Sequence, residues 1–285
     1  AVYRGGGMYL LSSSPTLTHV AIAGNTGNTV GGGMHLLVSY PTLTNVTISE
    51  NTAEDGGGMY LISSNATFTD VTISENTAAN SGGGMFIYNS SDPTLTHVTI
   101  SGNTASFGGG MLLYSSNPTL TDVTISENTA NWGSGGGMYL YYSDPTLIYV
   151  TISGNTANNY GGGILLENSN STLINSILWN NSPESIYSHV SIPFINYSDI
   201  QGSWEGEGNI DSDPLFTDPE NGDYTLQADS PCIDAGIVIE DMEYCGEAPD
   251  MGAYEYCEEL SAASVTPLSY HIQPAYPNPF NPVTS

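Results

Sequence analysis

The chain has 285 residues, 29 acidic side chains and a single basic one, Arg4, which gives a formal net charge of −28. This length is enough for one elongated domain with a large core, and 39% hydrophobic residues are too many for a disordered chain. Such a charge makes nucleic acid and anionic membranes poor partners, and no apolar run approaches the length of a spanning helix. We therefore expect neither nucleic-acid binding nor membrane insertion.

A repeated unit organises the first part of the chain, and we expect residues 1–183 to hold regular coils, the first of which opens at Gly5. Each copy opens with Gly-Gly-Gly, and most continue with Met-x-Leu, a polar break, Leu-Thr-x-Val-Thr-Ile and Asn-Thr-Ala; the last copy degrades, with Ser176 in place of Val. Self-similarity at such a period is typical of a solenoid. Short apolar pieces rich in Val, Ile and Thr, broken by Gly, Asn, Ser and Pro, indicate strands and turns. The triplets begin 25 to 27 residues apart, at Gly5, Gly31, Gly56, Gly82, Gly108, Gly135 and Gly161.

The repeat predicts an all-β fold, a parallel β-helix solenoid of about 26 residues per coil. Stacked coils lie roughly 4.8 Å apart and hydrogen bond to each other. The general preference of parallel crossovers makes the solenoid right-handed. Side chains alternate along a strand, so the first apolar residue of each copy and the one two positions later both point inward. The first of these columns is Met8, Met34, Met59, Met85, Met111, Met138 and Ile164.

An asparagine recurs at one turn of every copy, three residues after the last apolar position. Its side chain can bond the asparagine above, the one below and the local main chain, which satisfies polar groups at a buried corner. We predict a structural ladder made of Asn25, Asn51, Asn76, Asn103, Asn128, Asn155 and Asn181.

The residues between the inward columns point outward and include many aromatic side chains. A strip this long exceeds the scattered apolar exposure of an ordinary monomer, so either something covers it or it binds a ligand. Tyrosine suits sugar stacking or protein contact because its apolar ring has a polar tip. A C-terminal segment packed over the strip is the competing interpretation. The predicted binding residues are Tyr9, Tyr60, Phe86, Tyr88, Tyr114, Tyr139 and Tyr141.

Pairs of threonines flank an inward Leu or Phe in successive coils. Such Thr-x-Thr ladders resemble those of ice-binding solenoids, although threonine is also simply a favourable outward strand residue. The array is interrupted where Ile148 replaces the second threonine. The pairs are Thr16/Thr18, Thr42/Thr44, Thr67/Thr69, Thr94/Thr96 and Thr119/Thr121.

The C-terminal part differs in composition. Nineteen of the 29 acids lie in residues 184–285. We expect degenerate coils and an acidic cap over residues 184–260, with strands at 192–200 and 223–227, and a linker over 261–285. Oxygen-rich clusters bind calcium, but Asp beside Pro and Gly is also ordinary turn chemistry. The candidate calcium ligands are Asp211, Asp213, Asp218 and Asp223.

Three cysteines, Cys232, Cys245 and Cys257, allow one disulfide and leave one thiol, with the pairing open. No zinc-site spacing is present among them. Candidate glycosylation sequons stand at Asn45, Asn65, Asn89, Asn170, Asn180 and Asn196.

The coil pattern GGGM, PTLT, VTIS and NTA resembles the right-handed parallel β-helix repeats of secreted bacterial proteins, and is similar to chlamydial polymorphic outer-membrane protein repeats. Residues 208–216, 222–226, 230–236 and 250–256 resemble the C-terminal cap of β-helix proteins that carry anchor domains. Residues 276–282, Tyr-Pro-Asn-Pro-Phe-Asn-Pro, resemble the opening of the type IX secretion C-terminal sorting domain. These resemblances imply export to the surface of a Bacteroidetes-like bacterium; they do not imply a reaction.

We find no convincing catalytic constellation. A uronate lyase of this fold commonly uses Lys or Arg as its base, and this chain has no Lys. A glycosidase needs two carboxylates across one bond, and the coils show no such pair. The five histidines are scattered; His19 and His97 share a column with Asn45, Asp70, Asp122 and Tyr149, which predicts an exposed bend.

The first hypothesis is therefore an exported cell-surface or extracellular protein with a structural or adhesive, non-catalytic role, such as a fibre component. Its expected partner is another copy of the chain or a glycan or other surface ligand, because open strand edges favour pairing. No cofactor is expected, calcium being the single candidate. The alternatives are a carbohydrate-binding or polysaccharide-degrading enzyme and an ice-binding solenoid.

Overall fold

The computed structural model describes residues 4–240 and 242–257. Parallel strands of successive coils stack into three sheets, which confirms the predicted parallel β-helix. The first sheet, called the Met sheet, has strands Met8–Leu11, Met34–Leu37, Met59–Ile62, Met85–Tyr88, Met111–Tyr114, Met138–Tyr141, Ile164–Glu167 and Ile186–His189.

The second sheet, called the Thr sheet, is the widest. Its strands are Thr16–Thr18, Ala21–Ala23, Thr42–Ser49, Thr67–Ser74, Thr94–Ser101, Thr119–Ser126, Thr146–Ser153, Thr172–Ile174, Ile177–Trp179, Phe194–Asn196 and Asp199–Ile200. The third sheet is narrow and contains Thr52–Asp55, Thr77–Ser81, Thr104–Ala105, Thr129–Ala130 and Thr156–Ala157. No helix among the described residues is long and apolar enough to cross a membrane.

The core follows the predicted columns. Met59 pairs in register with Met85, and Met85 with Met111, and all three are fully buried. The inward orientation of the methionine column is therefore confirmed. Met8, in the first coil, is only partly buried.

A left-handed residue bends each long strand of the Thr sheet near its middle. In Thr42–Ser49 this residue is Asn45, with a φ of 53°. The bend shifts the side-chain alternation by one position, so that Leu43 and Val46 both point into the core although their spacing is odd.

The glycine triplet lies where the chain passes from the third sheet to the Met sheet. Gly56 has a φ of +63°, which favours glycine. At Gly57, a Cβ atom would lie 2.5 Å from the carbonyl oxygen of Thr77 and 2.6 Å from that of Gly83. Side chains are therefore excluded by backbone packing between coils.

The asparagine column forms a continuous hydrogen-bonded ladder beside these glycines. The main-chain N–H and the Nδ2 of Asn51 both donate to Oδ1 of Asn76, each at 3.0 Å. Nδ2 of Asn51 also donates to the carbonyl of Ile22 at 2.8 Å. The same arrangement links neighbours along Asn25, Asn51, Asn76, Asn103, Asn128, Asn155 and Asn181.

A second buried ladder, which the sequence analysis missed, lies at the corner after the Met sheet. The main-chain N–H of Ser39 donates to Oγ of Ser64, whose hydroxyl donates to the carbonyl of Ile62. The signal was a serine two residues after every Met-sheet strand except that of Met85–Tyr88, where it comes three residues later. The ladder contains Ser13, Ser39, Ser64, Ser91, Ser116, Ser143, Ser169 and Ser191.

The coils continue past residue 183 before the regular stack ends. The strand expected over 192–200 is interrupted, because Tyr197 adopts a left-handed φ of 49° between Phe194–Asn196 and Asp199–Ile200. The strand expected over 223–227 is present as Asp223–Leu226.

The described residues from 201 to 257, called the cap, then fold back along the outside of the solenoid. Phe216–Asp218 and Asp223–Leu226 pair antiparallel around the 3-10 turn Pro219–Asn221. A second core joins the cap to the Thr sheet through Ile177, Phe216, Tyr224, Leu226, Cys232 and Met251. The predicted linker and sorting-domain opening over 261–285 lie outside the described residues.

Candidate functional site

The predicted aromatic strip is a ladder of touching rings on the outer face of the Met sheet. Neighbouring ring centroids lie 4.6 to 6.1 Å apart, mostly in edge-to-face or tilted geometry. Tyr9 and Tyr114 are about 40% exposed and the rings between them are half-buried, except for the buried His35. The ladder runs through Tyr9, His35, Tyr60, Phe86, Tyr88, Tyr114, Tyr141 and Tyr142.

Tyr139, the remaining predicted member, stands beside this ladder. Its hydroxyl donates to Oε2 of Glu167 at 2.6 Å, and its ring packs on Phe107 at 6.2 Å. Together with Tyr160 and Tyr187, whose rings stack at 4.4 Å, they line a depression of about 280 Å³.

Phe107, Tyr160 and Tyr187 also belong to this surface and are not among the binding residues predicted from the sequence. Phe107 and Tyr160 each precede a glycine triplet, at the position that Arg4 and Val30 occupy in earlier coils. That column was visible in the aligned copies, but its orientation toward the Met sheet was not.

A second depression, of about 270 Å³, lies at the opposite end of the strip. Arg4, Val30, His35, Tyr60 and Ile62 are among its lining residues. His35 is only 3% exposed, and neither ring nitrogen has a hydrogen-bond partner. Burial, followed by the charge of Arg4, lowers the pKa of His35 to about 4, so the imidazole is neutral at neutral pH.

The C-terminal residues that the structure describes, up to residue 257, do not cover this strip, in contrast to the competing interpretation above. The described cap packs instead on the second half of the Thr sheet. The amide of Ala253 donates to Oγ1 of Thr151 at 3.0 Å, and that of Gly252 to the carbonyl of Asn175. The aromatic strip of the Met sheet therefore remains accessible in the part of the chain that the structure describes.

The threonine pairs form an in-register array on the first half of the Thr sheet. Thr42 pairs with Thr67 and Thr44 with Thr69, and the following pairs repeat this register. Their side chains are exposed or half-buried. The array is therefore regular. It ends where Ile148 takes the place of a threonine and pairs with Thr121.

The column expected to be an exposed bend is exposed only in part, which corrects the sequence interpretation. His97 lies between two carboxylates, with Nδ1 3.5 Å from Asp70 and Nε2 3.4 Å from Asp122. Tyr149, one coil further, is 6% exposed because the cap covers it. The repeat alone could not show this, since the covering residues come from outside it.

The four candidate calcium ligands do not form a shared site. Asp211 accepts from the hydroxyl of Ser203, Asp218 from the amide of Asn221, and Asp213 and Asp223 cap the turns two residues ahead. Among residues 4–240 and 242–257, no group of three or more His, Cys, Asp or Glu side chains is arranged to hold a metal ion. Turn chemistry therefore accounts for these aspartates.

The glycosylation candidates lie on the surface. Asn45, Asn65, Asn89, Asn170 and Asn180 are exposed and Asn196 is half-buried. Several already use their side chains: Asn65 and Asn170 each accept a main-chain N–H from the next coil.

The cysteines pair as one disulfide, Cys245–Cys257, and leave Cys232 as a buried thiol. The Cys232 thiol donates to Oδ2 of Asp199 at 3.3 Å. Burial raises the pKa of this thiol and also raises the pKa of Asp199, to about 6. The thiol is therefore a protonated structural donor at neutral pH.

Comparison with known families decides the classification. Residues 35–198, more than half of the chain, match the family described as right handed beta helix region. The chain belongs to this family. Its right-handedness agrees with the sequence expectation. No curated protein matches the sequence significantly.

Among solved structures, the beta helix is similar to the crystal structure of pectate lyase Pel9A. The TM-score is 0.54 at 17% sequence identity, over 87% of this chain and 68% of that chain. At this identity the likeness establishes a shared fold, and the chemistry has to be argued from the residues.

Proposed function

We propose that this protein is an exported, non-catalytic surface protein that adheres to a neutral polysaccharide through the aromatic strip of its Met sheet. The observation that carries the proposal is the continuous ring ladder, which is half-exposed and not covered by the cap. An apolar strip of this length on a soluble protein usually marks an interaction site.

The ladder is long and narrow, so it suits an extended ligand. The rings follow one another at about 5 Å, coil after coil, and the depressions at both ends widen the contact surface. Tyrosine hydroxyls beside aromatic surface provide stacking and hydrogen bonding together, which suits the alternating apolar and hydroxyl faces of a sugar. A polymer chain lying along the solenoid axis would contact many coils at once.

The net charge of the protein favours an uncharged polymer as the ligand. With a net charge of −28, the protein repels polyanions, and the single Arg4 lies at one end of the strip. A neutral glycan meets no such repulsion. The similar structure is a pectate lyase by name, which supports a polysaccharide ligand for this fold, while the charge of this chain favours an uncharged one.

The experiment is a binding assay with insoluble neutral polysaccharides, with polygalacturonate as the charged comparison. We expect the wild type to bind a neutral polymer and Tyr114→Ala/Tyr141→Ala to lose most of that binding. Tyr40→Ala is the matched control, because Tyr40 is 53% exposed and does not belong to the ladder. Equal retention of the double variant and the wild type would refute the proposal.

Polysaccharide degradation is the second candidate, favoured by the cleft in which His97 approaches Asp122. Release of soluble sugar from a bound polymer would support it over adhesion alone. Ice binding is a further alternative because the threonine face is regular, and thermal hysteresis would test it. Self-association through the partly buried apolar residues of the first coil would be tested by sedimentation.

A further inference from the structure

The ring ladder changes column half-way along the Met sheet. Each Met-sheet strand has two outward positions, its second and its fourth residue, which lie about 6.6 Å apart along the strand. In the first coils the ladder uses the second residue of each strand, as at Tyr60 and Phe86. It crosses to the fourth residue between Phe86 and Tyr88, at 6.1 Å, and continues through Tyr114 and Tyr141. The second-residue column of the later coils therefore lies beside the ladder.

The depression of about 280 Å³ described above lies in that column and is called the side depression. Leu165 is the second residue of its strand, in register with Tyr139 on one side and Tyr187 on the other. Its side chain is buried and lines the depression between the two tyrosines. Because coils stack about 4.8 Å apart, the two tyrosines are separated by about 9.6 Å along the axis. The side depression is therefore a gap one residue wide in a column of rings.

The corner before the Met sheet supplies an aromatic wall of the side depression. Phe107 and Tyr160 line it there, and both side chains are exposed. The ring of Tyr160 stacks on that of Tyr187 at 4.4 Å, with the two planes 26° apart. The ring of Phe107 packs on that of Tyr139 at 6.2 Å. Exposed rings of this kind offer an apolar surface to one face of a sugar ring.

The ladder side supplies a polar wall. Glu167 and His189, which pair in register on neighbouring strands, follow Tyr141 in the fourth-residue column and line the depression. The hydroxyl of Tyr139 donates to Oε2 of Glu167 at 2.6 Å, which fixes the orientation of the carboxylate. Burial, followed by this bond, raises the pKa of Tyr139, so the hydroxyl keeps its proton. Oε1 of Glu167 accepts no hydrogen bond from the residues that the structure describes.

We propose that the side depression binds a neutral monosaccharide branch of the polysaccharide whose backbone lies along the ring ladder. The inference rests on the proposed function of that ladder. A linear chain that follows the rings passes beside the depression, so only a unit that projects sideways from the chain enters it. Hydroxyls of this unit donate to Oε1 of Glu167, and its apolar face packs on Leu165 and Tyr160. The volume is just below the range of about 300–1,000 Å³ that drug-sized ligands occupy, which suits one sugar unit.

The polar groups of the side depression favour a neutral branch over an acidic one. A carboxylate such as that of Glu167 only accepts hydrogen bonds, and the imidazole of His189 can both donate and accept. Sugar hydroxyls satisfy both groups. A uronate branch would bring a second carboxylate beside Glu167, in a protein whose net charge is already −28.

The test compares oligosaccharides that share a backbone and differ in branching. Xyloglucan oligosaccharides are compared with cello-oligosaccharides, and galactosylated manno-oligosaccharides with unbranched ones, at equal backbone length. Calorimetry with the full chain gives the ratio of the two affinities within each pair. We expect the branched member of at least one pair to bind about tenfold more tightly, because it adds a hydrogen bond to a carboxylate and a stacking contact.

Variants test whether the side depression causes this preference. Glu167→Gln keeps the shape and removes the charged acceptor. Leu165→Tyr fills the gap with the ring that the same column carries at Tyr139 and Tyr187. Each should reduce the affinity ratio to about twofold or less, and Glu167→Gln decides if Leu165→Tyr does not fold. Glu50→Gln removes the same charge at an exposed turn outside the Met sheet and should leave the ratio unchanged.

Two results would overturn the inference and leave the ladder proposal standing: equal affinities within both pairs, or an affinity ratio that neither Glu167→Gln nor Leu165→Tyr changes. Absence of binding to all four oligosaccharides would overturn both proposals. The ladder variant Tyr114→Ala/Tyr141→Ala should weaken the binding of both members of a pair. Loss of the ladder and loss of the side depression are therefore distinguishable.

Discussion

The Met sheet and the Thr sheet are built by the same repeat, but their outer faces differ. The Met sheet carries an open ladder of rings, whereas the cap covers the second half of the Thr sheet from Thr124 to Ile177. The open face is flat and repeats along the axis. The covered face has a cleft lined by polar groups, because an irregular segment meets a regular surface there.

The comparison shows that the regular coils and the irregular cap satisfy their polar groups in different ways. Inside the coils, the buried asparagines and serines form ladders in which each residue bonds its counterpart in the next coil, as between Asn76 and Asn103. At the cap, polar groups bond partners that do not recur from coil to coil, such as Cys232 with Asp199. Regular stacking therefore stabilises the molecule, and the irregular cap adds local chemistry.

Breaking the shared core should have the largest effect. Met85→Asp places a charge between two coils where the native side chain is fully buried. We expect a loss of several kcal/mol or a failure to fold, because an unpaired buried charge is far more costly than a lost methyl group. Circular dichroism and chemical denaturation measure this. The matched variant Met8→Asp, at a half-buried position, should fold; comparable damage in both would contradict the account.

Removing one rung of the asparagine ladder is the next largest change. Asn103→Ala leaves the amide of Asn76 and the carbonyl of Ile73 without their partners. We expect the free energy of unfolding to fall by about 2–5 kcal/mol, since several buried groups lose a bond at once. The exposed Asn131→Ala is the control and should change stability by less than about 0.5 kcal/mol. Equal effects would mean that the ladder contributes no special stability.

Removing the disulfide should test whether the cap and the coils are stabilised independently, because both of its cysteines lie in the cap. Replacing both Cys245 and Cys257 with Ser opens a link that spans 12 residues. The chain-entropy argument gives about 3 kcal/mol or less, confined to the cap. Hydrogen exchange should show faster exchange in the cap and unchanged protection in Thr94–Ser101. Faster exchange across all coils would show instead that the cap is needed for the solenoid.

Opposite pH dependences give the smallest and most specific test. His35 has a folded pKa of about 4, below its ordinary 6.5, so its contribution to stability decreases as pH falls from about 6.5 to 4. Asp199 has a folded pKa of about 6, above its ordinary 3.8, so its contribution decreases as pH rises through that range.

Melting curves of two variants between pH 4 and 7 separate these effects. Relative to the wild type, His35→Phe should be most stabilised at the acid end. Asp199→Asn should be most stabilised at the neutral end. Parallel curves for wild type and variants would show that neither group changes its pKa on folding.

The repeat allowed the interior of the solenoid to be predicted from the sequence. The surface that the cap covers could not be predicted in this way. Aligned copies predicted the inward methionines and the outward rings because each coil experiences the same surroundings. Tyr149 shows the limit: its column contains His19 and Asn45, which lie at an exposed bend, yet Tyr149 is buried. The residues that bury it come from the cap, whose placement depends on single long-range contacts and leaves no periodic signal.

The serine ladder shows a second limit. A serine near the end of a strand is ordinary turn chemistry in any one copy, and only its buried hydrogen bond to the next coil makes it structural. The asparagine ladder was easier to predict because a full amide at every corner requires partners on both sides. The asparagine column was therefore predicted and the serine column was not, because of the residue type at each position.

The central claim is that the open face of the Met sheet binds a polymer. Hydroxyl-radical footprinting of the protein with and without a neutral polysaccharide measures this directly, side chain by side chain. The account predicts protection of Tyr88, Tyr114 and Tyr141, with Tyr40 unchanged. Unchanged labelling of the three ladder tyrosines in the presence of bound polymer would contradict it.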